Sequence, residues 1–412
     1  MGKFKKFLKR TIPGLISGGA DNDPAGISSY SIAGAQFGYS LNWLMVLATP
    51  MLIAVQAMCA RLGDVKRKGL TVIIKEHYHP AIALFSTAIL IICNIFTIGA
   101  DIAGMTAALS LIIPINYVFW VIPVSFLICY VVLFKNYQTI KKCLFWLVFV
   151  FIAYVFAGIL ARPNWGEVLK QTFIPEIHFE LKYFLAAIAI LGTTITPFLF
   201  FWQTKEEIEE KKPEKEMLEE AKKEEVILAP GFIFAQIITL FIMISTGTVL
   251  FSHGITDISD AAQAAMALEP LAGSFAKYLF AIGMIGAGFL AIPLLAASTA
   301  YALAETFGWR RESLSDKPQK AKEFYSVFIA AMLVGVMIAI LGINPIKVLF
   351  YSQVLSGILG PFLLILILLL CNNRQLMGKY VNGWFDNLFG WLAVIVMFLG
   401  SIGLFWQIVK GG

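Results

Sequence analysis

Apolar stretches long enough to cross a bilayer recur along almost the whole chain, at about 12–38, 42–62, 83–110, 116–134, 141–161, 182–203, 227–250, 274–302, 324–342, 346–371 and 386–409. A hydrocarbon core of about 30 Å needs roughly 20 such residues per helical crossing. With 59% hydrophobic and only 14% charged residues, the 412-residue chain has too little polar material to cover a soluble globule of its size. It reads as an all-α integral membrane protein of eleven spans, one transmembrane domain over 1–412 with no room for a separate soluble domain.

Basic residues fall on alternate connections. Lys3, Lys5, Lys6, Lys9 and Arg10 precede the first span, Arg61 and Lys66 to Lys68 follow the second, Lys135, Lys141 and Lys142 the fourth, Arg310, Arg311, Lys317 and Lys320 the eighth, Arg374 and Lys379 the tenth. The positive-inside rule puts these and the amino terminus in the cytoplasm and the carboxyl terminus outside, across a plasma (cell inner) membrane. The formal charge of +6 is then a record of topology and not an affinity for nucleic acid. The basic start leads into an interrupted span and straight on to the next, unlike a cleavable signal peptide. Lys and Glu alternate around Pro213 between Lys205 and Glu225, where Glu216 with Glu220 and Glu219 with Lys223 have the spacing of a solvated helix face, a cytoplasmic linker.

Cysteines and histidines offer no centre. Cys59, Cys93, Cys129, Cys143 and Cys371 are scattered in or beside apolar spans, and His77 with His79 reads as a surface pair. HExxH, GxSxG and phosphate-cradling loops are missing, so the chain reads as no enzyme and as needing no cofactor.

Two spans are interrupted. Asp21-Asn22-Asp23-Pro24-Ala25-Gly26 falls at the midpoint of the first, where each carboxylate costs roughly 2.5 to 3.5 kcal/mol on insertion scales and so implies a bound cation, a proton or water. Gly192-Thr193-Thr194-Ile195-Thr196-Pro197 falls within the sixth, and the nitrogen of Pro197 cannot donate a helical hydrogen bond. Each broken span opens a block of five. Five spans flipped against the next five is the inverted-repeat plan of many secondary transporters, whose broken helices meet at the bilayer midplane and form the substrate and ion sites. The repeats are expected at about 11–161 and 182–371, with an extra helix at about 386–409. Asp23 could alternatively do no more than cap the half-helix that begins at Pro24; the two roles can coexist.

Several fragments, in order, carry a family resemblance. Pro13-Gly14, Asp23-Pro24, Ala33-Gly34-Ala35-Gln36-Phe37-Gly38-Tyr39, Gln56 with Ala60-Arg61-Leu62-Gly63, Asp101-Ile102-Ala103, Ala161-Arg162-Pro163-Asn164-Trp165-Gly166-Glu167, Leu279 to Gly288, Ser352-Gln353-Val354-Leu355-Ser356, Pro361-Phe362 and Met377-Gly378 together resemble the Nramp family of proton-coupled divalent-metal transporters over nearly the whole length. The resemblance implies a LeuT-type inverted repeat (5+5) with an eleventh transmembrane helix, importing Mn²⁺- or Fe²⁺-like cations by alternating access. It puts Asp23 on the family's metal-binding aspartate, the carbonyls of Ala20 and Thr193 on its two main-chain ligands, Gln353 on its tenth-span glutamine and Asp101 on an aspartate of its proton route. The partners expected are the divalent cation, protons and the lipid bilayer, with no obligate protein partner.

The departures are as informative. Gly26 stands where the family has a ligating asparagine, Thr196 where it has methionine and Phe198 where it has the histidine of the proton path. Asn94 and Gly104 replace glutamates of the third span. Exchanging a thioether for a hydroxyl relaxes discrimination against hard ions, so Mg²⁺ transport without protons is the alternative. Thr196 offers an oxygen ligand, and Asp21 and Asn22 either replace the missing asparagine or hold the ion's water shell; Asp21 protonated, or facing a neighbouring helix, is the other reading. A sodium-coupled organic-solute symporter is the more distant alternative. Gly18, Gly19 and Gly192 are expected to permit the unwinding.

Overall fold

A computed structural model of the chain describes residues 14, 17–19, 21–134, 148–209, 213–309 and 321–410. Helix dominates, and no strand occurs among the described residues. Hydrocarbon offers backbone N–H and C=O groups no water, so each crossing segment must satisfy them within itself.

After the first break, α1 (Pro24–Phe37) completes the first span, followed by α2 (Asn42–Lys66), the short α3 (Leu70–His77), α4 (Pro80–Ser110), α5 (Tyr117–Phe134) and α6 (Ile152–Leu160). The second half runs through α7 (Leu181–Thr194), α8 (Pro197–Glu209), α9 (Glu214–Glu220), α10 (Glu224–Val249), α11 (Ala276–Phe307), α12 (Lys322–Ile340), α13 (Pro345–Asn372) and α14 (Trp384–Lys410). Among the described residues, eight stretches are long and apolar enough to cross a membrane, with Tyr117–Leu133 a shorter apolar ninth. Eleven were expected. The first span falls short as a continuous helix because it is broken, and the fifth is described only from residue 148 on.

Helices α1 and α13 pack on each other and each on both α4 and α7 at the centre, with α2, α8, α10 and α11 around them. The contact of α7 with α13 is backbone on backbone. A β-carbon at Gly192 would run into the carbonyl oxygen of Gln353 and the nitrogen of Gly357, and one at Gly357 into the carbonyl of Ile188. Small residues let membrane helices approach this closely. At Gly18 a β-carbon would lie 2.8 Å from the carbonyl oxygen of Gly231 in α10. The expectation that these glycines unwind the helices is therefore corrected: Gly18, Gly19 and Gly192 are helical, and the irregular backbone lies at Asn22–Asp23 and Ile195–Thr196. Gly192→Ala has a backbone obstacle that cannot rotate away, so it should destabilise the fold by roughly 1 to 3 kcal/mol, read as a lowered unfolding midpoint in detergent.

The end carrying the basic connections is clasped by buried ions. Arg61, expected in a loop, belongs to α2; its side chain is 5% exposed and pairs with Glu225 of α10 and, at 2.8 Å, with Asp386 of α14. Its Nε donates to the Ala221 carbonyl at 3.1 Å. Lys205 of α8 reaches Glu305 of α11 at 3.4 Å. The charged linker accordingly departs from a solvated helix: Met217 and Glu220 of α9 are buried, as are Glu206 and Glu224 on either side. A guanidinium taken out of water needs acceptors on all its donors, and the linker is folded in to supply one.

Candidate functional site

The first break is built by a proline and two carboxylates. Pro24 occupies the first turn of α1, where a missing N–H costs nothing. Asp23 before it is extended (φ −69°, ψ 170°), and its Oδ1 accepts from the Gly26 N–H at 2.5 Å. Asp101, from the middle of α4, accepts from the Ala25 N–H through Oδ1 at 3.1 Å. Both carboxylates thus sit on the unpaired N–H groups and positive dipole end of one helix. Both are buried, Asp101 completely. Asp23 is the cap that the sequence offered as one of its two roles.

Asp21 and Asn22 are also buried, and no side-chain oxygen or nitrogen of either has a hydrogen-bond partner. Asp101 Oδ2 is in the same position. Polar atoms buried without a partner are costly enough that most proteins avoid them. Several within a few residues of one another mark a place shaped for something polar. Ala20 lies outside the described residues; in sequence it stands four residues before Pro24.

The second break repeats this logic at the end of a helix. The last turn of α7 closes with Ile195 N–H donating to the Leu191 carbonyl at 2.8 Å, Ile195 turns off at φ −115° and ψ 64°, and Pro197 begins α8. Thr193 stands four residues before Pro197, which has no N–H to offer its carbonyl. Thr193 and Thr196 are both buried.

Packing brings the breaks together. A β-carbon at Gly26 would lie 2.7 Å from Thr193 Oγ1 and 3.1 Å from Asp23 Oδ1, so the aspartate and the threonine border the same small space. The Tyr30 hydroxyl, two turns along α1, hydrogen-bonds Thr194 Oγ1 at 2.9 Å and fixes α1 against α7. Thr196 lies in the second break itself, beside Ile195 and Pro197, which face Gly360 of α13. Gln353 brings its main chain to the site through Gly192, while its side chain bonds to Ser352 Oγ at 3.5 Å. The sequence did not announce the bond from Ala25 to Asp101 or that from Tyr30 to Thr194. A tyrosine seven residues beyond Asp23, on the same face of a helix otherwise made mostly of Gly, Ala, Ser and Ile, was the available signal for the second.

The departures from the family pattern have structural counterparts. Phe198 is buried. Asn94 is committed to holding α4 on α11, its Nδ2 donating to the Leu295 carbonyl at 3.0 Å and to Ser298 Oγ and Thr299 Oγ1 at 2.9 Å. At Gly104 a β-carbon would come within 2.8 Å of Leu349 and 3.3 Å of Met284, which leaves no room for a carboxylate there without repacking. Among the described residues, no group of three His, Cys, Asp or Glu side chains is arranged to hold a metal ion. Any cation held here would have to be met by one or two carboxylates together with neutral carbonyl, hydroxyl and amide oxygens.

Comparison with known proteins agrees with this architecture. The family model described as natural resistance-associated macrophage protein-like (Nramp) matches residues 14–407. The chain is 28% identical to the divalent metal cation transporter MntH of Caldanaerobacter subterraneus, over 98% of this chain and 94% of the relative. It is 25% identical to MntH of Klebsiella pneumoniae, over 91% and 88%. In structure it resembles the manganese transporter of Eremococcus coleocola, with a TM-score of 0.80 at 19% identity over 99% of this chain and 89% of that one. MhsT, solved in complex with L-phenylalanine, follows with a TM-score of 0.66 at 12% identity, over 96% and 98%. The fold is the LeuT-type transporter fold, and from the extent of the family match the chain belongs to the Nramp family of membrane transporters.

Proposed function

We propose that this protein is a secondary transporter that imports divalent metal cations by alternating access, with the ion held between the two helix breaks. The observation that carries the reading is the convergence of Asp23 and Thr193 on the space over Gly26. The names of the relatives, divalent metal cation transporter and manganese transporter, support the cargo class. In this reading Asp23 supplies the charge, the carbonyls of Ala20 and Thr193 and the side chains of Thr196 and Gln353 supply neutral oxygens, and Asp21 and Asn22 face the ion or its water. Two five-helix repeats, about 11–161 and 182–371, would rock about this site, with α14 added outside them. The basic loops would lie in the cytoplasm and the carboxyl terminus outside a plasma membrane.

Oxygen ligands without a thioether suit hard ions, which places Mg²⁺ beside Mn²⁺ as cargo. Asp101 is the carboxylate available to carry a proton, whereas Asn94, Gly104 and Phe198 carry none. An organic-solute symporter of the same fold is disfavoured because an acidic break repels a substrate carboxylate.

Uptake of Mn²⁺ and Mg²⁺ into liposomes containing an internal pH dye tests the proposal. Both ions should enter; acidification in step with uptake would assign a proton to each cycle. Thr196→Met should shift preference toward Mn²⁺ over Mg²⁺ by about tenfold, the size of roughly one lost or gained ligand contact of 1.4 kcal/mol. Uptake of neither ion would end the reading.

A further inference from the structure

Three oxygens, two from the first break and one from the second, face the point above Gly26 where a side chain would begin. They are Thr193 Oγ1 at 2.7 Å, Asp23 Oδ1 at 3.1 Å and the main-chain carbonyl of Asp21 at 3.2 Å, the three nearest heavy atoms outside Gly26, its chain neighbours and the backbone of its own helix. A cradle of this composition is unsuited to a methyl group. Two of its members accept hydrogen bonds only, and the third is a hydroxyl with two lone pairs. The same break also holds the buried carboxylate of Asp21 and the buried amide of Asn22, both without hydrogen-bond partners. Oxygen-rich surroundings that include a carboxylate are what hard divalent cations select.

Resting on the transport reading, we propose that Thr193 is a specificity-determining residue whose side-chain hydroxyl, together with the Asp21 carbonyl, faces the cation beside the bare backbone of Gly26. Residue 26 has no side chain to offer a ligand, and the space that one would fill is bordered instead by a hydroxyl from the opposite break. The two positions are coupled: any side chain at 26 displaces the Thr193 oxygen, and any apolar replacement of Thr193 removes the neutral side-chain oxygen from this set.

The competing role for the hydroxyl is structural. Tyr30, already bonded to Thr194, also reaches Thr193. A Thr193 hydroxyl that served only Tyr30 would pin α1 to α7 and bear on stability alone.

Titration of the purified full-length protein with Mg²⁺ alone and Mn²⁺ alone, by calorimetry, separates the two. Thr193→Val keeps the shape of the side chain without its oxygen and should weaken Mg²⁺ binding about ten- to a hundredfold, the range for one lost hydrogen bond or ligand contact to a charge. Thr193→Ser should remain within about twofold of the natural protein. Gly26→Ala should behave like Thr193→Val, and Tyr30→Phe should lower the unfolding temperature yet leave both affinities in place. Unchanged Mg²⁺ binding in Thr193→Val overturns the inference, as does an affinity loss in Tyr30→Phe equal to that of Thr193→Val. Should Thr193→Val fail to fold, Gly26→Ala and Tyr30→Phe decide it by the same criteria. Failure of the natural protein to bind either ion overturns the transport reading itself, a result distinct from loss in the variants alone.

Discussion

Asp23→Asn should fold normally and lose divalent-cation binding by roughly a thousandfold. Asparagine is as good a helix cap as aspartate, so the bond to the Gly26 N–H survives and the start of α1 keeps its geometry. What disappears is one negative charge in a site 3% exposed to solvent. A doubly charged ion and a carboxylate about 4 Å apart at an effective dielectric constant of about 20 attract by about 8 kcal/mol; with about half of that offset by stripping water from both, about 4 kcal/mol is left, close to three decades of affinity. Calorimetric titration with Mn²⁺ and vesicle uptake would both register this, with an unfolding midpoint within a few tenths of a kcal/mol of the natural protein. Retained binding would reduce Asp23 to its capping role. Asp23→Ala, by contrast, removes cap and charge together and should add about 1 kcal/mol of instability.

Arg61→Met should be the most destabilising single change at the clasped end. The guanidinium bonds to four partners, Glu225, Asp386, Asn382 and the Ala221 carbonyl. Asp386 has a side chain only 2% exposed. Removing the arginine strands that carboxylate in a medium that cannot solvate it, a loss of about 3 to 5 kcal/mol for a buried pair. Asp386→Asn in the same chain should recover much of that, because a neutral amide needs no counter-charge and can still accept from the Gly383 N–H. A double-mutant cycle on unfolding free energies measures the coupling. Additive losses would mean that the pair contributes no interaction of its own.

Much of this architecture is legible in the residues because hydrocarbon tolerates few solutions. Span lengths follow from apolar runs, and both breaks follow from a proline preceded by polar residues, at Asp23-Pro24 and Thr196-Pro197. The cap at Asp23 is local and was legible for the same reason. What escaped depends on which remote segment arrives opposite. Asp101 is 76 residues from the Ala25 N–H that it accepts from, and nothing near either residue names the other. The glycines were read for flexibility because one absent side chain serves two purposes, flexibility and close approach; at Gly192 and Gly18, both helical, the structure shows the second. Arg61 looked like one more basic loop residue until Asp386, 325 positions away, supplied its counter-ion.

The seam at Gly192 and Gly357 also restricts how this machine can cycle. With main chain pressed on main chain and no side chain between to act as a bearing, α7 and α13 are expected to travel together as a single lever. In the proposed cycle the irregular backbone at Ile195 and Thr196 would then be the joint at which the sixth span flexes, which would make fulcrum and passenger neighbours in the same strip of backbone.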